Sequence, residues 1–288
     1  LIGGKRLFMK TKNKFNHKYI FIFLIFILSF SITGCESIDK VKVKFGLKNK
    51  DFEYIKENKI QKIVIQNTRD KGFRFVVTDK KAIGELYNIL STAKPASTKS
   101  KLEPDYIFEM DEGNNKVHKF NYIAGLDKKD AGNLYSNNRI YIVSKRIDND
   151  IIKSFWTIRK PKDFEDVYYK SIIQVLKKYG VDKNNKNKVG INLKDDVDIS
   201  KFILSTDLEE FKIDLTNNFK NVSIVTKDDR DYNIVLNIRT EGYKSTMYKA
   251  IVNIYNKNNR TEKKYYIMNE YKNGRWDIQI LDKKSDNF

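Results

Sequence analysis

Cys35 is the only cysteine in the chain. An internal disulfide and a thiolate metal site are therefore excluded. Thr33 and Gly34, two small residues, stand immediately before it. Beyond that point His118 is the only histidine, in an alternating row with Phe120 and Tyr122. A lone histidine in a strand is more often structural than catalytic, and neither a Ser-His-Asp triad nor a two-histidine metal site can be assembled around it. Serine chemistry fares no better, since no G-x-S-x-G occurs. Ser37-Ile38-Asp39-Lys40 spells S-x-x-K, but no K-T-G follows it. Two acidic groups, Asp195-Asp196-Val197-Asp198 and Asp228-Asp229-Arg230-Asp231, carry oxygen enough to interest calcium. Their spacing matches no known calcium loop, and solvated turns are the expected reading. The stretch from Asp182 to Asn187 lacks the glycine that an EF-hand needs at its sixth position. No glycine loop for phosphate is present, so no cofactor and no metal are expected. Tyr243, Tyr248, Tyr255, Tyr265, Tyr266 and Tyr271 crowd the last strands. Tyrosine beside lysine suits a carbohydrate or protein partner, and it also simply covers a sheet.

Elements that would position these groups follow from periodicity. Ile63 and Ile65, then Phe73, Phe75 and Val77, alternate as strands do. Asp79 is placed to cap a helix whose apolar positions are Ala82, Ile83, Leu86, Leu90 and Ala93, with Pro95 closing it. Residues 106–110 and 117–123 form a hairpin about Glu112-Gly113-Asn114-Asn115. A turn at Ser136-Asn137-Asn138 precedes a strand over 139–144, and a closing helix is expected over 148–156. Pro161 marks a boundary between domains. A helix is expected from Phe164 to Tyr179, opened by Asp163, with Lys177 and Lys178 in its last turn and Gly180 just beyond. Short strands follow at 189–193 and 202–204. Thr206 and Glu209 then form a capping box for a helix with Leu208, Phe211, Leu215 and Phe219 on one face. Five consecutive strands over 222–226, 232–239, 247–255, 265–271 and 276–281 predict an antiparallel meander.

The formal charge is +19. Six basic residues and no acid precede Cys35, which leaves +13 for the remainder. Usage is rich in Lys, Asn, Ile, Tyr and Phe, as an AT-rich genome would make it, and composition alone accounts for much of this charge. A selected surface for lipid headgroups or wall polymers is the alternative.

Upstream of Cys35 lie Lys10, Lys12, Lys14 and Lys18, then an apolar block over 19–30, then Gly34. The block is shorter than the ~20 residues needed to span a bilayer, and the order is that of an export signal. Residues 9–36 resemble the bacterial lipoprotein signal with its lipobox. The resemblance implies diacylglyceryl transfer to the Cys35 thiol, cleavage after Gly34, and attachment to membrane lipid. Two acyl chains anchor stably where one is marginal. Residues 1–8 precede Met9, and Gly3-Gly4 fits the purine-rich codons of a ribosome-binding site. We read them as upstream sequence translated in error. Thr78-Asp79-Lys80, Pro104-Asp105-Tyr106 and Ile140-Tyr141-Ile142-Val143-Ser144 carry a second resemblance, over residues 60–157. They resemble the YhfM-like domain of lipoproteins of Gram-positive bacteria, which implies boundaries and location but no activity. Tyr271 to Trp276 is similar to the last hairpin of cystatin-like or NTF2-like folds.

The expected fold class is α+β: two small domains, each an antiparallel sheet with helices on one face, after a cleaved signal peptide. The expected organisation is a signal over 9–34, a lipidated tether over 35–50, a first domain over 51–160 and a second over 161–288. Within the tether, Val41, Val43 and Phe45 alternate as a strand would. The expected role is a non-catalytic protein on the extracytoplasmic face of the cell membrane. Its partner there is an envelope protein or an anionic wall polymer, and not nucleic acid. The alternative is a cell-envelope hydrolase or transferase using carboxylates and tyrosines. A solute-binding importer component is disfavoured, because the strands run consecutively rather than alternating with helices.

Overall fold

The computed structural model describes residues 48–56, 59–126, 131–153 and 160–288. Gly34, Cys35, the alternating residues of the tether, and Phe155 and Trp156 lie outside the described residues. Residues 51–288 form a single compact unit containing two sheets. The class is α+β, as runs of consecutive strands with a few amphipathic helices predict.

The first sheet holds seven strands: β1 Lys62–Asn67, β2 Arg74–Val77, β3 Lys94–Pro95, β4 Tyr106–Asp111, β5 Val117–Tyr122, β6 Leu134–Tyr135 and β7 Ile140–Ile142. Its order is β2-β1-β4-β5-β6-β7-β3, and every pairing is antiparallel. The β4–β5 hairpin turns through Gly113, Asn114 and Asn115, all at positive φ (82°, 49° and 63°). These are residue types that adopt the left-handed region at least cost. Helix Lys80–Leu90 opens on Asp79, whose carboxylate accepts from the Ala82 amide at 2.8 Å. It buries Ile83, Leu86, Tyr87, Ile89 and Leu90 against the sheet. Pro95 does not close this helix, which ends at Leu90. Proline instead sits in edge strand β3, where its missing N–H is tolerated. The expected closing helix is a wider π-type turn, Ile147–Ile152.

The second sheet holds β8 Val189–Asn192, β9 Val222–Ile224, β10 Ile234–Lys244, β11 Met247–Asn256, β12 Thr261–Lys272 and β13 Arg275–Leu281. Its order is β13-β12-β11-β10-β8-β9. The meander therefore spans four strands, β10 to β13, and not five. β8 inserts beside β10 and pairs with it in parallel, and β9 pairs in parallel with β8. A parallel neighbour needs a long crossover, and helix Ser205–Asn218 supplies it between β8 and β9. Helix Phe164–Tyr179 has the expected bounds and buries Phe164, Val167, Tyr168, Ile172, Val175 and Leu176. Gly180 ends it at φ 98°, and its amide bonds back to the last turn.

Two short stretches differ from expectation. Residues 202–204 are not a strand, because Val197–Phe202 forms a 3-10 helix. Thr206 does not cap, because the helix already begins at Ser205, after an extended Leu204. The Thr206 hydroxyl turns instead toward the Ala124 carbonyl, 3.5 Å away on the first-sheet side. Tertiary contact across the seam between the sheets has displaced the local cap.

Candidate functional site

His118 stacks on Tyr54 with ring centroids 4.0 Å apart, and its Nε2 lies 2.5 Å from Glu112 Oε1. Lys116 binds the same carboxylate. The pair braces the β4–β5 hairpin, and no nucleophile lies beside it among the described contacts. Asp228 is held by Arg230 through two guanidinium hydrogen bonds and one from its amide, and Asp229 by Lys257. Among the described residues no group of three or more His, Cys, Asp or Glu is placed to hold a metal ion. Of the tyrosines, Tyr248 and Tyr265 are buried on the inner face of the second sheet, whereas Tyr255 is exposed.

The other acidic group, around Asp196, is not a solvated turn throughout. Asp196 is 1% exposed. It accepts from the Thr240 amide at 2.8 Å, the Thr240 hydroxyl at 2.9 Å and the Tyr168 hydroxyl at 3.1 Å. The register of β10 shifts between Thr240 and Gly242, a bulge that aims Thr240 at this carboxylate. Burial pushes the Asp196 carboxyl up to about 6, against the three hydrogen bonds that favour its charged form, and Asp198 adds to the rise. The folded chain thus holds a proton that the unfolded chain releases near pH 4. Between those values the folded state binds more protons, so stability falls as pH rises from about 4 to about 6. The expected contribution is about 3 kcal/mol, and Asp196→Asn should remove it from the slope of urea-derived stability against pH. An unchanged slope in that variant contradicts the assignment.

A buried ion pair lies at the seam between the sheets. Asp105, fully buried at the start of β4, accepts from Arg69 Nη1 at 2.6 Å, from the Ala124 amide at 2.9 Å and from the Ser205 amide at 2.8 Å. Arg69 also donates to Ser205 Oγ at 2.5 Å, and Ser205 Oγ donates to the Glu103 carbonyl at 2.7 Å. This network fastens the first turn of helix Ser205–Asn218 to the first sheet. Burial holds the Asp105 carboxyl above its ordinary range despite the attraction of Arg69.

Beside that fastening opens a cleft of about 620 Å³, within the range that takes small ligands. Its apolar floor includes Tyr106, Ile152, Phe202 and Leu204. Lys145, Lys153 and Lys160 border it, and among the described residues Asp148 is the only carboxylate on its lining. Asp148 and Ile152 belong to the π-type turn, and Lys145 lies just before it. Asp148 Oδ1 accepts from Tyr122 OH at 3.0 Å, and Oδ2 accepts from the Gly125 amide at 2.9 Å. Both oxygens are thus committed to holding the wall in place. Burial, above all, holds the Asp148 carboxyl above its usual range. Lys160 lies between two rings, 5.6 Å from the Phe164 centroid and 5.9 Å from that of Phe202. Burial lowers its ammonium below the usual range, and Glu165 and Asp207 oppose that. Asp207 in turn is pushed up to about 6 by burial and by Glu165. An apolar floor rimmed by three cations can hold an amphipathic anion. Acid–base hydrolysis would need a second acid directed inward.

The cleft has no contiguous signature in the sequence, because its walls come from segments far apart in the chain. Residues 56–161 match the family model described as YhfM protein, a span that includes β1 to β7 and the Lys145, Asp148 and Lys160 side of the cleft. No curated protein and no solved structure matches the chain. Among the described residues no helix is long and apolar enough to cross a membrane.

Proposed function

We propose that this chain is a lipid-anchored protein of the extracytoplasmic membrane face that binds an anionic wall polymer without catalysis. Cys35 carries the anchor after cleavage behind Gly34. Two α+β domains, over 51–160 and 161–288, form the two sides of the binding cleft. The observation that carries this reading is the seam cleft, with three lysines around an apolar floor and one carboxylate whose oxygens are both engaged. A cleft with low-dielectric walls concentrates the field of its cations and draws in negatively charged chains. The +13 charge beyond the signal acts in the same direction. The hydrolase or transferase alternative would require a second inward acid, and the described lining has only Asp148.

Metabolic labelling with a fatty-acid analogue tests the anchor. Wild-type chain should take up label and sediment with membranes, and Cys35→Ala should lose both. Equal label in the two chains would contradict the assignment.

A further inference from the structure

A second concavity, of about 860 Å³, opens on the first sheet away from the seam cleft. Its frame is backbone. The Ala96 amide donates to the Ile140 carbonyl at 2.9 Å, the Gly132 amide to the Thr98 carbonyl at 2.8 Å, and the Ser100 amide to the Gly132 carbonyl at 3.0 Å. Gly132 lets these segments close up, since a Cβ there would lie 2.1 Å from Ile140 Cγ2 and 3.1 Å from the Tyr141 carbonyl oxygen. The groove is therefore a built wall and not a gap between loose turns.

Its chemistry differs from that of the seam cleft. Ser97, Ser136, Asn121, Asn137 and Asn138 line it, and among the described residues their side chains make no hydrogen bond within the protein. Each asparagine brings two donors and an acceptor oxygen with two lone pairs, and each serine a hydroxyl that works either way. Tyr135 lies among them, with the Lys99 ammonium 4.9 Å from its ring centroid. Among the described residues, Lys99 is the only charged one on the lining. Ala96 and Ile140 add small apolar patches beside the amides. Many neutral, two-way hydrogen-bonding groups on a fixed frame match vicinal hydroxyls. An acetamido substituent fits the same wall, its methyl against Ala96 and Ile140 and its amide against asparagine. A phosphate-dense chain would find one cation here among the described residues.

We infer that this groove is a binding site for a glycan containing N-acetylated hexosamine. The inference is independent of the seam cleft and of what that cleft holds. The test is calorimetric titration of the full chain in detergent with chitotetraose, a neutral tetrasaccharide of N-acetylglucosamine. Wild-type chain should bind it. Asn121→Ala with Asn137→Ala should weaken binding at least about tenfold, as loss of two or more hydrogen-bonding groups does. Lys145→Ala with Lys153→Ala should leave it unchanged. Matching circular dichroism melts would show that the asparagine variant is folded. Absence of binding to folded wild-type chain at about 10 mM sugar would overturn the inference. So would equal affinity in the asparagine variant, or binding lost only in the lysine variant.

Discussion

Asp105→Ala is expected to destabilise the folded chain by about 3–5 kcal/mol, the usual cost of breaking a buried ion pair from one side. The deletion removes the ion-pair partner of Arg69, whose side chain is 20% exposed, and strands two amides, those of Ala124 and Ser205. Burial holds the Asp105 carboxyl above its ordinary range even with Arg69 beside it, so desolvation outweighs the attraction. The pair is therefore a fastening that is costly to break rather than a large net source of stability. Removing both charges, with Arg69→Leu and Asp105→Leu, should cost less than the Asp105→Ala change alone. Urea denaturation of the single and double variants checks this. A single variant within about 1 kcal/mol of wild type would show that the seam does not depend on this network.

Phe164→Ala is the second large effect, expected at about 3–5 kcal/mol. Phe164 is fully buried at the start of its helix. Its ring stacks on Tyr168 at 5.1 Å and meets Phe202 at 5.4 Å. Lys160 Nζ stands 5.6 Å from the same ring. Truncation would leave a cavity beneath the floor of the seam cleft and free Phe202 and Lys160 to shift. Stability and polymer binding should therefore fall together. Val76→Ala serves as the control, because Val76 is 57% exposed on edge strand β2 and should change stability by less than about 0.5 kcal/mol. A Phe164→Ala chain as stable as that control would contradict the packing described here.

Local signals in the sequence located most elements, and non-local contacts account for the failures. Helix Phe164–Tyr179 was legible because its apolar positions recur at helical spacing and Gly180 ends it. Its start, just after Asp163, was also as expected. Asp163 takes a left-handed conformation and makes no side-chain cap, while its carbonyl accepts from Asp166 and Val167. The β4–β5 hairpin was legible from its glycine and asparagines. Insertion of β8 between β9 and β10 was not, because the pairing of Asn192 with Asn237 joins residues far apart in sequence. The capping box at Thr206 failed because Ser205 and Thr206 are drawn to the first sheet. The seam cleft failed for the same reason, since Lys145, Asp148, Phe202 and Ser245 meet only in the folded chain. The buried role of Asp196 was hidden because an acidic run reads as solvated unless its neighbour across the sheet, Thr240, is known.

Polyanion binding by the seam cleft is tested by titrating the full chain in detergent with a synthetic poly(glycerol phosphate) chain, a soluble phosphodiester polyanion. Wild-type chain should bind, and binding should weaken as salt rises. Lys145→Ala with Lys153→Ala should lower the affinity at least about tenfold without changing the melting transition. Equal affinity in the lysine variant, or no binding by the wild-type chain, would contradict the assignment of the seam cleft.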